Sequence, residues 1–147
     1  ASAPDGIVRI RLLQALPVPD GLALAARAPF AGSPLAVVEF GTSDNGDAAW
    51  PQLVQGFAGG VAADGSRRLG VELARGARGG PVFDRFGRLA GIALPADGGA
   101  DRLAPIAAPD GSAPASGEMP GAPAAPIDAV YESALRLTLQ ILLTRPA

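Results

Sequence analysis

The chain has no cysteine, no histidine and no lysine. Without cysteine there is no disulfide, no thiolate metal site and no cysteine nucleophile; the redox compartment stays open. Without histidine, neither a Ser-His-Asp nor a Cys-His site is complete within the chain, and the commonest metal ligand is missing. All twelve positive charges are arginine, which reads first as a GC-rich coding bias. The formal net charge is -2 and the pI about 5.0. That balance lacks the basic face of a general nucleic-acid binder. No apolar run reaches the ~18 residues of a membrane span. No charged, then apolar, leader opens the chain, and a first residue Ala1 without methionine suggests a processed product or an excised domain.

What the sequence does have is alanine, glycine and proline, with 48% hydrophobic residues and only 18% charged. A chain of 147 residues suggests one domain with a modest core. The stretch GIVRIRLL (6–13) alternates Ile, Val and Leu with Arg9 and Arg11, the pattern of a half-buried strand. A proline-rich connection and a short apolar segment follow. SPLAVVEFG (33–41) is β-branched and apolar, a strong strand. TSDNGDAAWP (42–51) is a polar loop holding Trp50. QLVQGFAGGVA (52–62) reads as a strand whose glycines suggest a bulge. ADGS (63–66) is a hairpin turn, and RRLGVELA (67–74) a strand with Leu69, Val71 and Leu73 inward. GPVFD (80–84) and RLAGIALP (88–95) form a hairpin about a glycine turn, and DRLAPIAA (101–108) supplies one more strand.

Residues 109–125 are nearly all Pro, Ala, Gly and Ser and read as a flexible connection without a core. From 126 the period changes. Ile127, Val130, Tyr131, Ala134, Leu135, Thr138, Ile141 and Leu142 recur at helical spacing, with Asp128 expected as N-cap. This helix, over 126–143 of a C-terminal unit 126–147, should dock on the β-rich unit 1–108. Strands do not alternate with helices. The expected fold is therefore all-β: a six- to seven-stranded Greek-key barrel with a C-terminal α-helix.

One stretch carries chemistry, GARGGPVFDRFGRLAGI at 76–92. Gly76-Ala77-Arg78-Gly79-Gly80-Pro81 resembles the G-x-S-G-G-P loop of trypsin-like serine proteases, closest in style to the bacterial HtrA/Deg-type branch. The resemblance runs on through Gly87 and LAGI. Upstream, AGSPLAVVEFG and PQLVQGFAGGV are similar to the family's successive strands in the C-terminal barrel, PDGIVRIRL would place Asp5 at the triad aspartate, and PIDAVYESAL is similar to the entry of its terminal helix. The resemblance implies a trypsin-like second barrel and a bacterial source. It does not select periplasm or cytoplasm.

Departures from the pattern bear on function. Arg78 occupies the nucleophile position and Ala77 the position before it. Only 75 residues precede the motif, so a histidine-bearing first barrel is not among them. A guanidinium stays protonated and has no lone pair to attack an acyl carbon. The expectation is a pseudoprotease: no enzyme, no catalytic residue, no cofactor and no metal. Asp44, Asp47, Asp97 and Asp101 do not have calcium-loop spacing. The backbone N–H groups of Gly76 and Arg78 would be the relic oxyanion donors. With Gly79 and Gly80 they offer an anion or peptide-carboxylate site; the favoured alternative is that they are relics of turn geometry, with Arg78 in solvent or paired with a nearby carboxylate. Asp5 has no histidine to orient. Trp50 is either a partner anchor or a residue capping the barrel. Arg67-Arg68 reads as a solvated hairpin flank.

Three functions compete. A non-catalytic module would bind a protein or peptide, by strand addition for example. An enzyme completed by another polypeptide would need a serine, and Ser33, Ser43 and Ser66 lie in the wrong motifs. A structural domain, or one half of a two-barrel protein with an upstream barrel, would leave an apolar face that also favours self-association.

Overall fold

The computed structural model describes residues 7–8, 10–16, 22–41, 49–63, 65–74, 79–96, 100–106 and 122–139. Among the described residues six strands are formed: β1 Pro34–Phe40, β2 Pro51–Val61, β3 Arg67–Gly70, β4 Pro81–Asp84, β5 Leu89–Leu94 and β6 Arg102–Pro105. Among them a single helix follows, α1 Ile127–Leu137. Every strand pairing is antiparallel, and the order β1-β2-β3-β6-β5-β4 closes on itself. After the meander β1-β2-β3, the chain crosses to lay β4 beside β1. The spatial order 4-1-2-3 is a Greek key. The all-β barrel and its C-terminal helix agree with the sequence reading.

β1 explains most of the packing. Its side chains alternate between two cores. Leu35 and Val37 point into the barrel with Ala58, Leu69, Val82, Ala93 and Leu103. Ala36 and Val38 point outward, with Phe83, onto Val130 and Ala134 of α1. The register agrees: Val37 opposes Val82 and Ala36 opposes Phe83, and directly opposed residues share a face. Interior residues are small or branched, which suits a narrow barrel. Gly91 has no room for a side chain, since a Cβ there would stand 2.4 Å from the Ala104 carbonyl oxygen.

The helix lies on the outer face of β1 and β4. Leu53, Leu89, Ala125, Tyr131 and Leu137 extend this second core, and the Tyr131 hydroxyl donates to the Pro51 carbonyl at 3.0 Å. The N-cap is Pro126, without a side-chain cap bond. Asp128 instead sits in the first turn, where Oδ1 accepts the Ala129 N–H at 3.0 Å. Proline's fixed φ starts the helix and its missing N–H costs nothing there. The helix ends at Leu137, and Thr138 is extended, so the expected continuation is shorter at 138–139; 140–143 lie outside the described residues. Ile127 and Leu135 are exposed, because contact with the barrel is a narrow stripe centred on Val130 and Ala134.

Two strand expectations need correction. β3 stops at Gly70, and Val71 and Leu73 pack against the interior from an irregular connection. The Greek-key crossover starts there, so the chain must leave the sheet. The stretch at 6–13 is not a half-buried strand either. Of its described residues only Val8 makes a bridge, and Val8, Ile10, Leu12 and Leu13 are exposed. A closed barrel offers no free edge to a seventh strand. The ADGS hairpin holds: Gly65 has φ +81° and the Ala62 N–H donates to the Ser66 carbonyl at 2.8 Å. The β2 bulge falls between Ala58 and Val61. Residues 109–121 lie outside the described residues.

Phe83 joins the barrel wall to the helix with none of its surface exposed. Replacing Phe83 with alanine should cost about 3–5 kcal/mol in equilibrium urea unfolding. A cost below about 1 kcal/mol would show that the helix contributes little to this core.

Candidate functional site

Gly76, Ala77 and Arg78, with Asp5, lie outside the described residues, so the geometry here concerns the stems of the 75–78 loop. Residues 71–74 leave β3, and Gly79 and Gly80 lead into β4, at the end of the barrel where β1 finishes. Gly79 has φ +81°, a left-handed conformation that favours glycine, and its N–H donates to the Ala93 carbonyl at 3.1 Å. Gly80 carries the chain against β1: a Cβ there would lie 2.4 Å from the Val38 carbonyl oxygen. The Ala93 N–H donates back to the Gly80 carbonyl at 2.8 Å. Both glycines are therefore required by a tight anchor on β5 and β1.

The same barrel end holds a residue that motif reasoning missed. Glu39 is only 2% exposed. Its Oε1 accepts the Ala74 N–H at 2.8 Å, while Oε2 is buried with no hydrogen-bond partner among the described residues. Ala74 enters the 75–78 loop and Gly80 follows its exit, so both stems meet at Glu39. Burial pushes the Glu39 carboxyl above the ordinary glutamate value; the Ala74 N–H pulls it down, and the nearby Asp101 charge pushes it up. Asp101 is itself a local organiser. Its carboxylate accepts the Leu73 N–H at 3.1 Å and the Ala96 N–H at 3.3 Å, and its carbonyl accepts the Leu69 N–H at 2.6 Å. The alternation Leu35, Val37, Glu39 was the available signal, since it sends a carboxylate along the inward face of an apolar strand.

The other candidates do not join this site in the described residues. Trp50 is 84% exposed, immediately before β2. Arg67 donates from Nη1 to the Gly59 carbonyl at 2.9 Å, tying β3 to the bulged part of β2, and Arg68 is exposed. Ser33 and Ser66 belong to turns; Ser43 lies outside the described residues, as do Asp44, Asp47 and Asp97. Among the described residues, no cluster of three or more acidic side chains is placed to hold a metal ion, and no helix is long and apolar enough to cross a membrane.

A buried carboxylic acid with a raised pKa holds its proton more tightly folded than unfolded. Its stabilising contribution is full below the ordinary glutamate value and is lost as pH rises through the raised folded value. The variant Glu39→Gln keeps the acceptor for Ala74 without the titration. The denaturation midpoint of the parent should fall more steeply with rising pH over that window than the midpoint of Glu39→Gln. Parallel pH profiles would show that Glu39 is not the group responsible.

No protein-family model, no curated protein and no solved structure matches this chain.

Proposed function

We propose that this chain is a non-catalytic barrel of the trypsin-like type that binds a protein or peptide partner. The observation that carries this reading is the stretch 7–16. Val8, Ile10, Leu12, Leu13 and Leu16 are all exposed, Leu13 completely, and residues 10–16 belong to no strand or helix. Five large apolar side chains within nine residues are costly in water. Each contributes about 1.5–3 kcal/mol when fully buried. A partner that covers them recovers that free energy, and the alternation at 8, 10 and 12 suits addition to a sheet edge.

The non-catalytic part rests on residue chemistry. By resemblance Arg78 stands at the nucleophile position, and a guanidinium does not attack a carbonyl. The chain has no histidine to act as base. In the same reading, Ala74 and Gly80 beside Glu39 are the retained stems of a former catalytic loop. A related reading places this barrel in a two-barrel protein, with 7–16 covered by the other barrel.

The triple variant Ile10→Ser, Leu12→Ser, Leu13→Ser tests the binding reading. It changes no residue of either core, so its unfolding midpoint should stay close to that of the parent. The parent should associate, with itself or with a cross-linked partner in its source cells, as read by light scattering and intact mass. The variant should lose that association. Identical behaviour of the two chains would end the reading, and labelling of the chain by a serine-directed phosphonate would end its non-catalytic part.

A further inference from the structure

The opposite end of the barrel carries a second feature, independent of the 7–16 stretch. A cavity of about 200 Å³ opens between the β4–β5 turn and the segment entering β1. It lies by Leu35, which pairs with Asp84, roughly 13 Å along β1 from Glu39. Its position follows from local bonding. Leu24 bridges Leu89, with the Ala25 N–H donating to the Leu89 carbonyl and the Leu89 N–H to the Ala23 carbonyl, at 2.9 and 2.8 Å. The chain is thereby held beside the turn, and Arg27, Pro29 and Phe30 face Arg85, Phe86 and Arg88 across the cavity.

One wall is cationic. The guanidinium carbons of Arg85 and Arg88 lie 4.4 and 4.7 Å from the centre of the Phe86 ring. Asp84 fixes this wall. Its Oδ1 accepts the Phe86 and Arg88 N–H groups at 2.9 and 3.0 Å. Its Oδ2 accepts Arg88 Nε at 2.8 Å and pairs with Nη2 at 2.7 Å. Asp84 is thus committed to Arg88 and the turn, and Arg85 is left exposed. The facing wall is mostly apolar, with Phe30 59% exposed, Pro29 and Pro34 beside it, and the Arg27 guanidinium carbon 5.6 Å from the centre of the Phe30 ring. Ser33 completes it. Its Oγ accepts the Phe30 N–H at 3.1 Å, which leaves the hydroxyl proton to donate. The lining carries three arginines against one aspartate in a chain of net charge -2.

We propose that this cavity binds a carboxylate attached to a flat apolar group, such as an aromatic acid or the terminal residue of a peptide ending in phenylalanine. The Arg85 fork meets the carboxylate, the Ser33 hydroxyl donates to it, and Phe30 stacks on the apolar body. Among the described residues the lining's aspartate pairs with Arg88 and not with Arg85, and the volume admits one side chain with its carboxylate. Both walls are held by bonds within the chain, so little ordering opposes binding.

Amide chemical shifts of the full chain, titrated with N-acetylphenylalanine, provide the test. Shifts should concentrate at Phe30, Ser33, Phe86, Gly87 and Arg88. N-acetylphenylalaninamide, which lacks the carboxylate, should produce none. The substitution Arg85→Ala, at an exposed side chain, should weaken binding about tenfold or more, Phe30→Ala should weaken it as well, and Arg68→Ala on β3 should leave it unchanged. Ala-Ala-Phe separates the two sources: tighter binding than N-acetylphenylalanine assigns the cavity to peptide ends, and weaker or equal binding to free aromatic acids. The proposal is overturned if no shifts occur, if the amide binds as well as the acid, or if Arg85→Ala binds as the parent does.

Discussion

The rest of the structure depends on β1 being paired along both edges and packed on both faces. Its pairing with β4 closes the barrel, and its pairing with β2 opens the meander. Its inward residues anchor the interior and its outward residues seat the helix. Closure satisfies backbone groups that an open sheet would leave at its edges. It also sets the positions of both barrel ends. Because β4 must return to β1, Ala74 and Gly80 come to lie beside Glu39. Because β4 leaves β1 at Leu35, the β4–β5 turn comes to rest beside the segment that enters β1.

The two ends differ in their physical character. At one, a desolvated carboxyl and two glycines anchor the stems of a loop. Here the low dielectric works against charge and pushes the Glu39 carboxyl above the ordinary glutamate value. At the other, guanidinium groups stack on Phe86 of the turn, Arg85 exposed to solvent and Arg88 paired with Asp84, and that one aspartate organises the backbone. A carboxylate ligand suits the second end and not the first, where Asp101 already adds negative charge beside Glu39.

The strand segments and the barrel class were legible because the strands are short, apolar and separated by glycine turns. PLAVVEF, PVFD and LAGIAL form where period-two patterning and turn residues agree. The same patterning misleads at 7–13, since alternation reports what a strand would bury and not whether the sheet has an edge left to receive it. Asp128 misleads for a local reason: Pro126 takes the capping position two residues earlier. Glu39 was written in the alternation of β1 but carried no motif. The cationic cavity was not legible at all, because Arg27 and Phe30 meet Arg85 and Phe86 only through the Leu24–Leu89 bridge, a contact between residues far apart in sequence.

Amide hydrogen exchange of the intact chain tests the central claim most directly, that β1 closes the barrel and leaves the 10–16 stretch outside it. The account predicts the slowest exchange at Val37, Val38 and their partners on β2 and β4, with unprotected exchange across Ile10–Leu16. Protection of Ile10–Leu16 equal to that of the strands, or rapid exchange along the β1–β4 seam, would contradict it.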